Sequence, residues 1–195
     1  MFDIFINYLK DKISLSDGEI QLIRAVAILK KLRKRQYLLQ QGDVWKYNAF
    51  VASGFLRTYA VDDKGQEHIL NFAPENHWTG DRESLAGGNP SQFNINAIED
   101  TEVVLITKGN FDRLCQQIPQ LQDFVNALLH SSFLVSQKRI HETISLSAEE
   151  KYQNFLENFP VITQRIPQHM IASYIGITPE TLTRVRKKGI KKRTT

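Results

Sequence analysis

The segment PETLTRVRKK places Glu180, Thr183 and Arg184 within five residues, followed by Arg186, Lys187 and Lys188. On a helix starting at Pro179 the first three share the N-terminal half of one face. A glutamate there can accept from a cytosine amino group, an arginine can bond bidentately to guanine, and a threonine can meet a thymine methyl or a phosphate. Arg186, Lys187 and Lys188 suit phosphate contacts, which supply affinity and salt dependence but no sequence choice. The same phosphate role is assigned to Arg165, Gln168 and Thr178. The plainer use of Glu180 and Arg184 is an i,i+4 surface ion pair worth about 0.2–0.5 kcal/mol.

Reading bases requires a rigid mount, and the preceding residues predict one. QHMIASYIGITPETLTRVRKK reads as two short helices joined by a tight turn. Ile171, Ala172 and Ile175 lie on the first helix, and Gly176 can supply a left-handed turn. Thr178 can cap the second helix with Pro179 at its first position, while Leu182 and Val185 face back to the first. This is helix-turn-helix spacing. Charge agrees. From Pro160 onward eight basic residues, Lys191, Lys192 and Arg193 among them, stand against the single acid Glu180, a net of +7. The whole chain carries +4, so the rest carries −3. A basic end separated from an acidic body suits a polyanionic partner, although a solvated lysine-rich tail would look similar by charge alone.

With 195 residues, 42% of them apolar and 10% aromatic, the chain can bury one or two packed cores. No run approaches the roughly 18 to 20 apolar residues a membrane helix needs, and MFDIFINYLKDK has no basic leader, so a cytoplasmic, membrane-free protein is expected. The single Cys115 excludes an internal disulfide and multi-thiolate metal ligation. Phe2, Phe5, Ile6 and Leu9 predict a first helix, and the capping box Ser16/Glu19 a second. From about Ile28 to Ile106 the β-prone runs NAFVASGFLRTYAV, HILNFA, FNINAI and EVVLIT alternate with turn clusters, predicting an antiparallel sandwich, jelly roll or barrel. DDKG is one such turn, with Gly65 free to take positive φ.

After Gly109 the helical period returns, and beyond Pro119 it persists to at least Ile144. Leu121, Val125, Leu128 and Val135 form one apolar stripe, and Leu129, Phe133, Ile140 and Ile144 a second. A helix with two apolar faces needs two neighbours, either within its own domain or with one face on a second copy as in a dimer seam, to which Leu121, Val125, Leu128 and Val135 are assigned. Ser147 and Glu150 cap a further helix through Tyr152, Phe155, Leu156 and Phe159 that ends at Pro160. The expected organisation is a β domain over 1–117, a connecting helix over 118–145 and a DNA-binding domain over 146–195.

These motifs resemble the Crp/Fnr family of bacterial transcription regulators over nearly the whole chain. Glu180, Thr183 and Arg184 fall on the family's base-reading positions; LLQQGD and AFVASGFLRTY match its early turn and hairpin. The resemblance implies an α+β fold: an N-terminal antiparallel jelly roll of the cyclic nucleotide-binding type, a long dimerisation helix and a C-terminal helix-turn-helix. Many members continue into a β-hairpin wing; here Thr195 ends the chain and a truncated wing is expected. It also implies a homodimer on a palindromic duplex, with no catalytic residue, no metal and no cofactor. Signals would pass from the β-domain pocket along the Leu121 to Ile144 helix.

The effector cassette departs from the family pattern. Nucleotide-binding members carry Gly-Glu on a short helix and then Arg followed by Ser or Thr to neutralise the phosphate. Here TGDRESLAGGNPSQFNI supplies Gly80, Asp81, Ser84, Leu85, Ser91 and Gln92, and no Lys or Arg lies between Arg82 and Lys108. A buried phosphate without a cation loses its strongest bonds, so dependence on cyclic AMP is not expected. Arg82, between Asp81 and Glu83, is read as a solvated ion pair. An unidentified small-molecule effector stays open, as does a cyclic AMP-responsive regulator with an atypical cassette. The N-terminal cysteine cluster of the family's oxygen-sensing members is absent, and His77 beside Trp78 is read as a packing or surface residue rather than a haem ligand.

Among enzymes the alternative is a cupin-like metal site from His68, Glu75 and His77, but the histidines stand nine apart with a proline between them. Ser84 and Cys115 have no adjacent base, and no nucleophile elbow or phosphate-binding loop occurs. An adaptor that kept the fold and lost DNA binding is opposed by the intact set Glu180, Thr183 and Arg184.

Overall fold

Two short helices open the chain, each for a local reason. Phe2, Phe5, Ile6 and Leu9 share one face of α1 (Phe2–Lys10), and all four are buried. At the start of α2 (Asp17–Val26) the Ser16 hydroxyl accepts from the Glu19 N–H while the Glu19 carboxylate accepts from the Ser16 N–H, the reciprocal cap expected from the sequence.

The computed structural model describes residues 1–192, and the side chains of residues 1–188. Eight strands follow α2: β1 (Ile28–Leu32), β2 (Tyr37–Leu39), β3 (Tyr47–Ser53), β4 (Leu56–Val61), β5 (Glu67–Ala73), β6 (Trp78–Thr79), β7 (Asn94–Ala97) and β8 (Thr101–Thr107), with the short helix α3 (Arg82–Gly87) between β6 and β7. They form two four-stranded sheets, ordered β1-β8-β3-β6 and β2-β7-β4-β5. β8 pairs antiparallel with β1 and β3, and β7 with β2 and β4, the two-sheet arrangement of a jelly roll.

Strand β3 explains the packing. Alternate residues point to opposite faces of a sheet, so a strand covered on both sides is apolar throughout. Ala49 and Val51 enter a core between the sheets with Leu56, Ile95, Ala97, Val103 and Leu105. Phe50 and Ala52 point the other way, into a second core with α1, α2 and α4 (Lys108–Gln117) that includes Phe5, Leu9, Ile23, Ile106 and Phe111. Phe50 also meets Phe5 at 5.0 Å and Trp78 at 5.6 Å between ring centroids. The start of the long helix α5 (Pro119–Ser145) closes this core with Leu121.

The chain divides into two compact units, Met1–Val61 with Leu70–Leu129, and Asp62–Ile69 with the residues from His130 onward. The second unit contains the far half of α5, α6 (Ala148–Asn158), a 3-10 turn (Ile162–Gln164), α7 (Gln168–Ile175), α8 (Pro179–Lys192) and the turn of the β4–β5 hairpin, where Gly65 has φ +78°. The Ser147/Glu150 capping box opens α6 as expected. Among the described residues the second unit's buried apolar side chains are Ile69, Phe155, Ile162, Ile166, Ile171, Ala172, Ile175, Leu182 and Val185. On α5, Leu121 is buried and Val125 and Leu128 are half-buried, whereas Phe133, Val135, Ile140 and Ile144 are exposed; of the residues assigned to the seam, Leu121 and Val125 pack instead into the core with α1, α2 and α4. The expected truncated wing concerns residues 193–195 and lies outside the described residues. Among the described residues no helix is long and apolar enough to cross a membrane.

Candidate nucleic-acid interface

Helix α7 stops because Gly176 turns left-handed, with φ +70° and ψ +39°. The Ile177 N–H then donates to the Ala172 carbonyl at 3.0 Å, satisfying one of the orphan acceptors at the helix end. Two residues later the Thr178 hydroxyl accepts from the Thr181 N–H at 3.2 Å and starts α8. Leu182 and Val185 are buried, as are Ala172 and Ile175 on α7, and the two helices pack directly.

With that face used for packing, the other is left to solvent. Glu180, Thr183, Arg184, Lys187 and Lys188 together line one open depression of about 440 Å³. Each of these side chains is exposed. The Glu180 carboxyl is held below the ordinary carboxylate range by hydrogen bonds from its own N–H and from the Thr178 hydroxyl, so it stays an acceptor at neutral pH. The Thr183 hydroxyl donates to the Pro179 carbonyl at 2.9 Å, which keeps its proton on the helix. Among the described contacts, Glu180 and Arg184 do not form an ion pair with each other. The face therefore presents an anionic acceptor, a guanidinium and two ammonium groups.

The remaining phosphate candidates are spread more widely. Arg186 is exposed on α8 but outside the depression. Thr178 spends its hydroxyl on the cap. Gln168 opens α7 with its side-chain carbonyl oxygen buried and unpaired among the described residues, and half-buried Arg165 follows the 3-10 turn. The side chains of Lys191, Lys192 and Arg193 lie outside the described residues.

The cassette residues do come together, but their polar groups serve one another. Asp81 caps α3: one carboxyl oxygen accepts from the Glu83 and Ser84 N–H groups at 2.9 and 3.1 Å, and the other accepts from the Ser91 hydroxyl at 2.7 Å. Ser84 accepts from the Trp45 N–H at 2.8 Å and donates to the Asn89 carbonyl at 2.6 Å. Ser91 is laced to the opposite loop, its N–H donating to the Asp43 carbonyl and its carbonyl accepting from the Gly42 N–H. Gly80 is required by contact as well as by φ +149°, since a Cβ there would lie 2.5 Å from Trp45 Nε1. Leu85 is half-buried against the core between the sheets, and Gln92 is exposed. One expectation is corrected: Arg82 makes no ion pair with Asp81 or Glu83 among the described residues, because the Asp81 carboxyl is turned inward to cap α3 and hold Ser91.

Sequence reasoning missed two groups. Trp45, 4% exposed, packs into the core between the sheets beside the cassette; the signal was a large aromatic directly after QQGDV, where a turn was expected. Arg57 is buried on β4, donates from Nε to Asn96 at 2.9 Å and lies 4.3 Å from the Tyr59 ring centroid, and the Tyr59 and Tyr37 hydroxyls meet at 3.1 Å. Its alternation with Leu56 was available in the sequence, but cross-strand partners were not.

The residues considered for metal or nucleophilic chemistry point elsewhere. His68 Nε2 lies 2.9 Å from the Asp62 carboxyl, whereas His77 Nδ1 lies 2.9 Å from the Glu75 carbonyl. Glu75 accepts from the Gly54 N–H, and among the described residues no cluster of three or more histidine, cysteine or acidic side chains is placed to hold an ion. Burial pushes the Cys115 thiol pKa up, with Asp112 adding to the effect, so it is a poor nucleophile.

Residues 29–118 match the cyclic nucleotide-binding domain family. Over 167 residues the chain is 26% identical to the transcriptional activator protein Anr of Pseudomonas aeruginosa, covering 79% of this chain and 67% of that protein. It is 26% identical over 198 residues to the fumarate and nitrate reduction regulatory protein of Vibrio cholerae, covering 94% and 77%. The solved structure of FixK2 from Bradyrhizobium japonicum superposes with a TM-score of 0.74 at 19% identity, covering 86% of each chain, a likeness of fold.

Proposed function

We propose that this chain, a homologue of the Crp/Fnr transcriptional regulators with a cyclic nucleotide-binding-type domain over residues 29–118, reads a palindromic DNA site as a homodimer through α8. The observation that carries this reading is the joint exposure of Glu180, Thr183, Arg184, Lys187 and Lys188 on one face of a helix whose other face is buried. An N-terminal half bearing Glu180 and Arg184 suits base edges in a major groove, and the lysines that follow suit the phosphates beside it.

Two such helices must sit about 34 Å apart to enter successive major grooves. The exposed residues Phe133, Ile140 and Ile144, which share one stripe of α5, support a seam with a second copy, because large apolar groups lined up on one helix face are costly in water. Replacing Ile140 and Ile144 together with glutamate is expected to give a monomer by sedimentation equilibrium and to abolish tight operator binding. A dimer that persists would remove α5 as the seam.

The cassette supports a regulator that needs no cyclic AMP, since the Asp81 carboxyl and the Ser91 hydroxyl are already bonded to the chain's own groups. Selection of bound sequences from a random duplex pool by the purified protein tests both points. The expected outcome is a palindromic consensus recovered with nothing added. Recovery only in the presence of cyclic AMP would overturn the cassette reading, and recovery of no consensus would overturn the reading of α8.

A further inference from the structure

We propose that Arg139 is a positioning residue for α8, clamping the end of α7 and the turn end of the β4–β5 hairpin to the far half of α5. This rests on the DNA-reading assignment above.

From α5, Arg139 Nη2 donates to the carbonyl of Ile69 and to the carbonyl of Tyr174, each at 3.3 Å. Its guanidinium carbon lies 4.1 Å from the Tyr174 ring centroid. Beside it the Ser173 hydroxyl accepts from the Ile69 N–H at 2.9 Å and donates to the Glu67 carbonyl at 3.2 Å. The backbone of residues 67–69 is thus held by side chains of α5 and α7, much as a neighbouring strand would hold it. The hairpin end is stiff in its own right, because the Asp62 carboxyl accepts from the Lys64 and Gln66 N–H groups and meets His68. Tyr174 is also held by edge contacts with Phe155 at 5.6 Å and Phe159 at 5.9 Å.

The position of the clamp gives it leverage. Tyr174 belongs to the last turn of α7, where carbonyls lack intrahelical donors, and Arg139 supplies one. Gly176 turns the chain two residues later, and α8 starts at Pro179. A small rotation of α7 is therefore passed to α8 through the buried Ala172, Ile175, Leu182 and Val185. Arginine suits the task because a planar cation can stack on a ring while donating in its own plane; lysine can replace the charge but not the stacking geometry.

The test uses the whole 195-residue chain and a duplex taken from the pool selection. Arg139→Ala is expected to weaken binding to that duplex about fivefold or more, the lower end of usual coupling between linked sites. It should also broaden the tolerated spacing between half-sites and speed amide exchange at residues 67–69, and Arg139→Lys should restore these only in part. Unchanged affinity, spacing preference and exchange in Arg139→Ala, or full rescue by lysine, would overturn the clamp. If Arg139→Ala does not fold by circular dichroism, Ser173→Ala carries the test, with a smaller loss in the same direction expected and no loss overturning it. If the wild-type protein prefers no duplex, the DNA reading fails instead, while exchange at residues 67–69 still reports on the clamp.

Discussion

Asp81 and Glu180 are both acidic residues at the start of a helix, yet they have opposite uses. Asp81 is 6% exposed, and both its carboxyl oxygens are taken up by the chain itself, on the amides of α3 and the hydroxyl of Ser91. Glu180 is exposed, lines a depression with three cations, and among the described residues bonds to its own N–H and to Thr178. A polar group that the fold has consumed cannot also serve a ligand without leaving other groups unpaired. The contrast therefore separates a cassette built as structure from a helix face built for a partner.

The largest test of that contrast is Asp81→Ala. It strands two amides and a buried hydroxyl, and should lower the stability of the first unit by about 2–4 kcal/mol in urea denaturation. The affinity of the folded protein for its duplex should stay as it was; a selective loss of DNA binding would make Asp81 part of a signalling path. Next, Arg184→Ala should cost about 1–3 kcal/mol with the selected duplex and relax choice at one base pair, at unchanged stability. Equal weakening on random duplex would remove its base-reading role. Lys188→Ala should weaken all duplexes alike and lower the slope of log affinity against log salt by about 1.

The smallest effect expected is with pH. Because the folded pKa of Glu180 is depressed, its ionised form persists as pH falls through the ordinary carboxylate range and is lost only below it. The affinity ratio of wild type to Glu180→Gln for the selected duplex should thus stay constant from neutral pH to about pH 5, well above an ordinary glutamate pKa. A ratio that drifts to one across that window would show a carboxyl titrating where its hydrogen bonds should prevent it.

Much of the local structure was legible from short-range chemistry. The capping boxes at Ser16/Glu19 and Ser147/Glu150, the left-handed Gly176, the Thr178 cap and the apolar pair Leu182 and Val185 each involve residues within four positions of one another. The exposed set on α8 followed from the same periodicity. The cassette was legible only as a departure from a family pattern. That Asp81 would turn inward to Ser91, rather than pair with Arg82 beside it, depends on a turn that brings two positions ten apart together.

Residue type and the periods of 2 and 3.6 were enough to set where helices start and stop, where strands run, which end is cationic and which face of α8 is apolar. Packing of distant elements placed Trp45 in the core beside Gly80, brought Arg57 to Asn96, and carried Arg139 to Ile69 and Tyr174. Those contacts join residues 35 to 70 positions apart, and their geometry is set by how whole sheets and helices stack. No local preference encodes that stacking, because it is the joint solution to burying two cores at once.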